Sequence, residues 1–219
     1  MSEITENNTI TNVGAGVTKA IMHSNPITGF FQTLYDEYAS RQWQQRREKW
    51  EEIFEDKLQN IKDEIDLTKI ESIPNFAQIL LSAGQGAMSD IEEDKVALYV
   101  NAVVNSIKNE NIDDTKKHIF LNMLRDFTVL HIETLKALQQ CQVDNNSIPN
   151  QNRPDFVNNY LKTNYSYLMK DKVVINNVLS DLQSKQLCFI STLDFYDEDI
   201  YGDLLVLKLG DEFLNFISE

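Results

Sequence analysis

Four cationic side chains crowd the stretch RQWQQRREKW (41–50): Arg41, Arg46, Arg47 and Lys49, against the one acid Glu48. Trp43 and Trp50 stand seven apart and so share roughly one face of a helix. Cations interleaved with aromatic rings can neutralise phosphates and stack on bases. These four residues are therefore the candidate contact for nucleic acid or for a partner surface. A structural reading competes and is favoured: the tryptophans join an apolar stripe, and the arginines pair with Glu51 and neighbouring acids at helical spacing.

The opposite charge dominates near the C-terminus. LDFYDEDIYGD (193–203) carries Asp194, Asp197, Glu198, Asp199 and Asp203 and no basic residue. With its aromatics it forms a candidate partner-binding surface, Asp194, Tyr196, Asp197, Glu198, Asp199 and Tyr201, suited to a basic protein. The chain as a whole has a formal charge of −14, and neither its first 66 residues, its middle nor its last 92 are net basic. That balance disfavours broad contact with phosphate backbones or anionic membranes.

Other reactive side chains are sparse. His23, His118 and His131 form no H-E-x-x-H. His131 and Glu133 are two apart and point to different sides of a helix, while Asp114 and His118, four apart, would need further ligands to hold a metal. Cys141 and Cys188 lie 47 apart with no C-x-x-C, which fits reduced thiols in a cytosolic protein better than a disulfide framework. No phosphate-cradling loop, nucleophile elbow or Cys–His pair stands out. The expectation is a non-enzymatic chain with no catalytic residue, cofactor or metal.

Few turn formers interrupt the chain. Seven Gly and four Pro in 219 residues predict a mainly α fold. Residues 1–29 read as a flexible leader without a secretory signature. Within the leader and just beyond it, the mildly apolar stretch 13–31 has Lys19 as its only charge, which is weak for a membrane anchor. No apolar run of about 18 residues predicts a transmembrane helix. Residues 30–127 are expected to form a helical bundle. Trp50, Phe54, Leu58, Ile61 and Ile65 mark one helix, roughly 30–66, and NFAQILLSAGQGAM (75–88) marks a buried one with small residues for close contact. SDIE (89–92) reads as a capping box for a helix bearing Val96, Tyr99, Val100, Val103 and Ile107. Further helices are expected near 119–127 and 128–140, the latter capped by Thr128. After the Asn- and Pro-rich linker 142–155, helices are predicted near 155–163 and 171–186. The runs LCFIS (187–191) and LLVLKL (204–209) then read as strands of the one β-hairpin.

The order of helices and strands over 128–219 resembles a winged helix-turn-helix. The ending LKLGDEFLNFIS, together with FTVLHIETLKAL (127–138), is similar to uncharacterised bacterial and prophage proteins with an N-terminal helical bundle, some linked to abortive infection. The resemblance implies a conflict or regulatory role and supplies no catalytic residues. A winged helix usually reads DNA through cations on its third helix and wing, whereas this wing is acidic. The expected function is thus a cytoplasmic protein-interaction or regulatory protein, bacterial or phage-borne, acting on a basic protein partner or on a second copy of itself. A DNA-binding regulator is the alternative, and a membrane-acting effector through 13–31 is a third class.

Overall fold

The stripe read at residues 50–61 closes on itself in space. In the computed structural model, which describes residues 41–61, 75–109, 112–145, 153–190, 192–193 and 205–218, Trp50, Phe54, Leu58 and Ile61 are all buried along α1 (Arg41–Ile61). Their spacing of three and four residues places them on one face. That face packs against α2 (Phe76–Ser89) and α3 (Lys95–Lys108), which also pack on each other. The leader and residues 30–40 and 62–66 of the predicted first helix lie outside the described residues. The chain divides into two compact units, Met1–Asn122 and Met123–Glu219.

Close approach of α2 and α3 depends on a glycine. A Cβ built on Gly86 would stand 2.4 Å from Cε1 of Tyr99, whose ring is buried. The capping box expected from Ser89 and Glu92 does not form. Ser89 is the last residue of α2, and its hydroxyl donates back to the carbonyl of Gln85 (2.6 Å). Asp90 organises the turn instead, accepting the Glu92 N–H at Oδ1 (3.0 Å), and α3 begins only at Lys95. The local motif loses because the Asp90 carboxylate is drawn into a buried ion pair with Lys95. Next comes α4 (Asp114–Asp126), whose first turn is tied by Asp113 accepting the Thr115 N–H (3.1 Å).

The second unit is built on α5 (Val129–Asp144), α6 (Arg153–Asn164) and α7 (Lys172–Ser184), with a short 3-10 turn at Leu168–Lys170. α6 and α7 each pack against α5. Thr128 and His131 form a reciprocal cap at the start of α5. The Thr128 N–H donates to His131 Nδ1 (3.2 Å), and the imidazole stacks on Phe127 with centroids 5.0 Å apart. Asp171 caps α7 by accepting from the N–H groups of Val173 and Val174 (2.9 and 3.3 Å). Gln186 ends α7 in the left-handed region, φ 59°, a position that favours glycine. The Leu187 N–H then closes back on the Leu182 carbonyl (3.0 Å).

The expected β-hairpin is not found among the described residues. Pairing is limited to one antiparallel bridge, Cys188 with Val206, flanked by Phe189 N–H to Leu205 O (2.8 Å) and Leu207 N–H to Leu187 O (2.9 Å). The second predicted strand ends early because Lys208 opens a helix, α8 (Lys208–Ile217). The spacing of Phe213, Leu214, Phe216 and Ile217 buries all four, which a strand starting in LLVLKL could not do. Gly210 makes the junction possible: a Cβ there would stand 2.3 Å from the Leu187 carbonyl oxygen.

Candidate interaction surface

The basic segment is committed internally wherever its side chains are described. Arg46 donates through Nη1 to the carbonyls of Met88 (3.2 Å) and Asp90, and through Nη2 to that of Ile91 (3.1 Å). It thus satisfies a carbonyl that the end of α2 leaves open and two in the turn after it. Arg47 pairs with Glu51 at 2.6 Å, one helical turn on, and Lys49 pairs with Glu93 at 3.0 Å. Trp50 is buried and stacks on Phe54 (5.0 Å). The side chains of Arg41 and Trp43 lie outside the described residues, as do Asp194, Tyr196, Asp197, Glu198, Asp199 and Tyr201 of the acidic loop.

Beneath Arg46 sits a buried polar cluster. Lys95 is 1% exposed, and its ammonium pairs with Asp90 and lies 5.9 Å from the centre of the Tyr99 ring. The Tyr99 hydroxyl donates to Asp90 Oδ2 (3.2 Å). Asp90 thus gathers the Lys95 ammonium, the Tyr99 hydroxyl and the Glu92 N–H, and the cluster fixes the turn between α2 and α3.

The remaining reactive groups are quiet. Burial pushes the Cys188 thiol up to about 12 and the Cys141 thiol up to about 11, and both are buried and free. That is the wrong direction for a nucleophilic thiolate. Asp114 accepts from Asn75 Nδ2 (2.6 Å) and Lys117 Nζ (3.3 Å), and these bonds hold its carboxyl below the usual carboxylate range. His131 turns Nε2 toward Asp181 (3.4 Å) and serves the cap through Nδ1. Among the described residues no group of three or more His, Cys, Asp or Glu is arranged to hold a metal ion, and no helix is long and apolar enough to cross a membrane.

What the second unit turns outward is apolar and aromatic. Val173 and Val174, at the second and third positions of α7, are 70% and 43% exposed, and Tyr167, in the turn before it, is 50% exposed. Three tyrosines form a strip, with Tyr167 exposed and Tyr160 and Tyr165 half-buried. The Tyr165 ring lies 6.1 Å from Tyr160 and 6.4 Å from Tyr167, both pairs tilted. Tyr160 donates its hydroxyl to Asp144, at the end of α5, and Tyr167 donates to Glu133 (2.8 Å), in its first half. Burial, then the bonded carboxylate, pushes the Tyr167 phenol up to about 12 and raises Tyr160 likewise. The Tyr160 and Gln140 hydrogen bonds in turn hold the Asp144 carboxyl below the usual carboxylate range.

Sequence reading did not single out Tyr160, Glu133 or Asp144 as interface residues. It also missed Gln142 and Asn176. Gln142 Oε1 accepts the N–H groups of Leu205 (2.7 Å) and Val206 (3.0 Å), and Asn176 Oδ1 accepts that of Leu193 (2.9 Å). Two half-buried amides thus tie the segment after α7 to α5 and α7.

Comparison with protein-family models, with curated proteins and with solved structures finds no match to this chain.

Proposed function

We propose that the chain acts by binding a protein rather than by catalysis, with the second unit as the binding module on a winged-helix-like frame. Support for the frame is the order α5, α6, α7, then an antiparallel bridge that closes the stretch between Phe189 and Leu205. The observation that carries the binding is the exposed pair Val173 and Val174 on the first turn of α7. A DNA-reading helix uses that part of its surface for groups that face bases and phosphates, and two solvent-facing valines suit a protein contact instead. The inert thiols support a non-enzymatic role. The proposed setting, bacterial phage defence, rests on the resemblance read from the closing motif LKLGDEFLNFIS alone.

The rival reading, a DNA-binding regulator, draws support from Asn177, Ser180 and Gln183, which are exposed along α7. One experiment separates the two. Wild type and a Val173→Glu/Val174→Glu variant are purified from the native cell. Glutamate at these positions sits well with the helix N-terminus, so the fold tolerates it. Wild type is expected to retain a protein in stoichiometric amount and the variant to lose it. Co-eluting nucleic acid in place of a protein, read by absorbance at 260 nm, sinks the proposal.

A further inference from the structure

The tyrosine strip carries a more specific reading, one that rests on the protein-binding role and names the chemistry of the partner. We propose that Tyr160, Tyr165 and Tyr167 dock an extended peptide segment with arginine or lysine at alternate positions.

Spacing is the first support. Side chains two apart on an extended strand point the same way and stand roughly 6.6–6.8 Å apart. The ring centres stand 6.1 and 6.4 Å apart. A peptide laid along the strip brings one cation to each ring, within the distance at which a ring face attracts a guanidinium or ammonium. Length is the second support. Glu133 and Asp144 are eleven residues apart on α5, about 16 Å along its axis. An extended segment of about five residues covers that distance.

Charge is the third. The strip is bounded by Asp144 at one end and Glu133 at the other, each already fixed by a tyrosine hydroxyl. Neither carboxylate is ion-paired to a cation among the described residues, and Lys136, three residues beyond Glu133, makes no ion pair with it. Residues 123–219 carry 8 basic and 14 acidic side chains, so the surrounding field also favours a cationic ligand. An acidic segment or duplex DNA meets the same field as repulsion.

The test uses the purified full chain and fluorescence anisotropy with three labelled probes: an octapeptide of alternating Arg and Gly, an octapeptide with the same residues in two blocks, and a 16-base-pair DNA duplex. The alternating peptide is expected to bind about three- to fivefold more tightly than the blocked one, and the duplex not to bind. Tyr165→Leu weakens the alternating peptide by a similar factor, the size of one exposed cation–ring contact, while Tyr165→Phe restores most of the affinity because the ring face remains. Glu133→Gln/Asp144→Asn keeps both hydrogen-bond acceptors, weakens binding and flattens its salt dependence; it decides the matter if Tyr165→Leu does not fold. Equal affinity for the two peptides, or no effect of either variant, overturns the proposal, since binding then follows the diffuse negative field alone. A chain that ignores both peptides yet retains a partner through Val173 and Val174 overturns this inference and leaves the protein-binding reading standing. Duplex binding overturns both.

Discussion

Removal of the Asp90 carboxylate should unfold the first unit far more readily than its surface neighbours would suggest. Lys95 is 1% exposed and its ammonium is paired with Asp90, whose side chain is 8% exposed. Asp90 also accepts from the Tyr99 hydroxyl (3.2 Å) and the Glu92 N–H (3.0 Å). Asp90→Ala removes the carboxylate that pairs with a buried ammonium, and breaking a buried pair at one partner costs about 3–5 kcal/mol. That is a large share of the roughly 5–15 kcal/mol that holds a typical domain. Lys95→Met keeps the stem's volume and leaves Asp90 two donors, so its expected cost is smaller, about 2 kcal/mol. The double variant removes both charges together. It should be more stable than Asp90→Ala alone, with a coupling of at least about 2 kcal/mol. Urea denaturation followed by tryptophan fluorescence measures all three. Trp43 and Trp50 both belong to the unit Met1–Asn122, so the signal follows that unit. Loss of under about 1 kcal/mol for Asp90→Ala, or simple addition of the two single effects, refutes the reasoning.

Gly86→Ala should destabilise the chain by about 1–3 kcal/mol, although alanine is favoured by about 1 kcal/mol in an ordinary helix interior; the new Cβ meets the buried Tyr99 ring at 2.4 Å, and a lowered urea midpoint checks it. Gly210→Ala should damage the second unit at least as much, because its Cβ meets a backbone oxygen, that of Leu187 at 2.3 Å, which cannot rotate away; thermal melting by circular dichroism is the readout. Cys141 and Cys188 should resist a thiol-specific reagent at pH 8 in the folded chain and react in urea, since at a thiol pKa of about 11 the thiolate is only ~10⁻³ of the total. The same raised thiols set a pH trend. From the ordinary 9.0 up to about 11 the unfolded chain loses protons that the folded chain keeps, so stability falls as pH rises through that window and is level, as far as the thiols are concerned, below it. A urea midpoint unchanged between pH 8 and pH 10.5 contradicts this.

What the sequence alone determined is the helices and the faces they bury. Trp50, Phe54, Leu58 and Ile61 on α1, and Val96, Tyr99, Val100, Val103 and Ile107 on α3, read as stripes and are buried. Thr128 read as a cap and is one. These features follow from the 3.6-residue period and from first-turn geometry, which neighbours three or four residues away decide. Tertiary structure decided the rest, because there the competing partners lie far along the chain. Arg46 reaches carbonyls 42 to 45 residues away, so that one cation of the basic run is spent inside the fold. Asp90 is claimed by Lys95, and the capping box written in SDIE gives way. Lys208 and Leu209 have the look of a strand, yet burial of Phe213 and Phe216 draws them into α8, and the described residues show one bridge where a hairpin was expected. Tyr160, Tyr165 and Tyr167 fall at spacings of five and two, which mark no single helical face. They form a strip only because the chain turns after α6 and sets its tyrosines beside Asp144 and Glu133 of α5. Local periodicity is written in adjacent residues, whereas the choice among polar partners is made by burial, which exists only once the helices have packed.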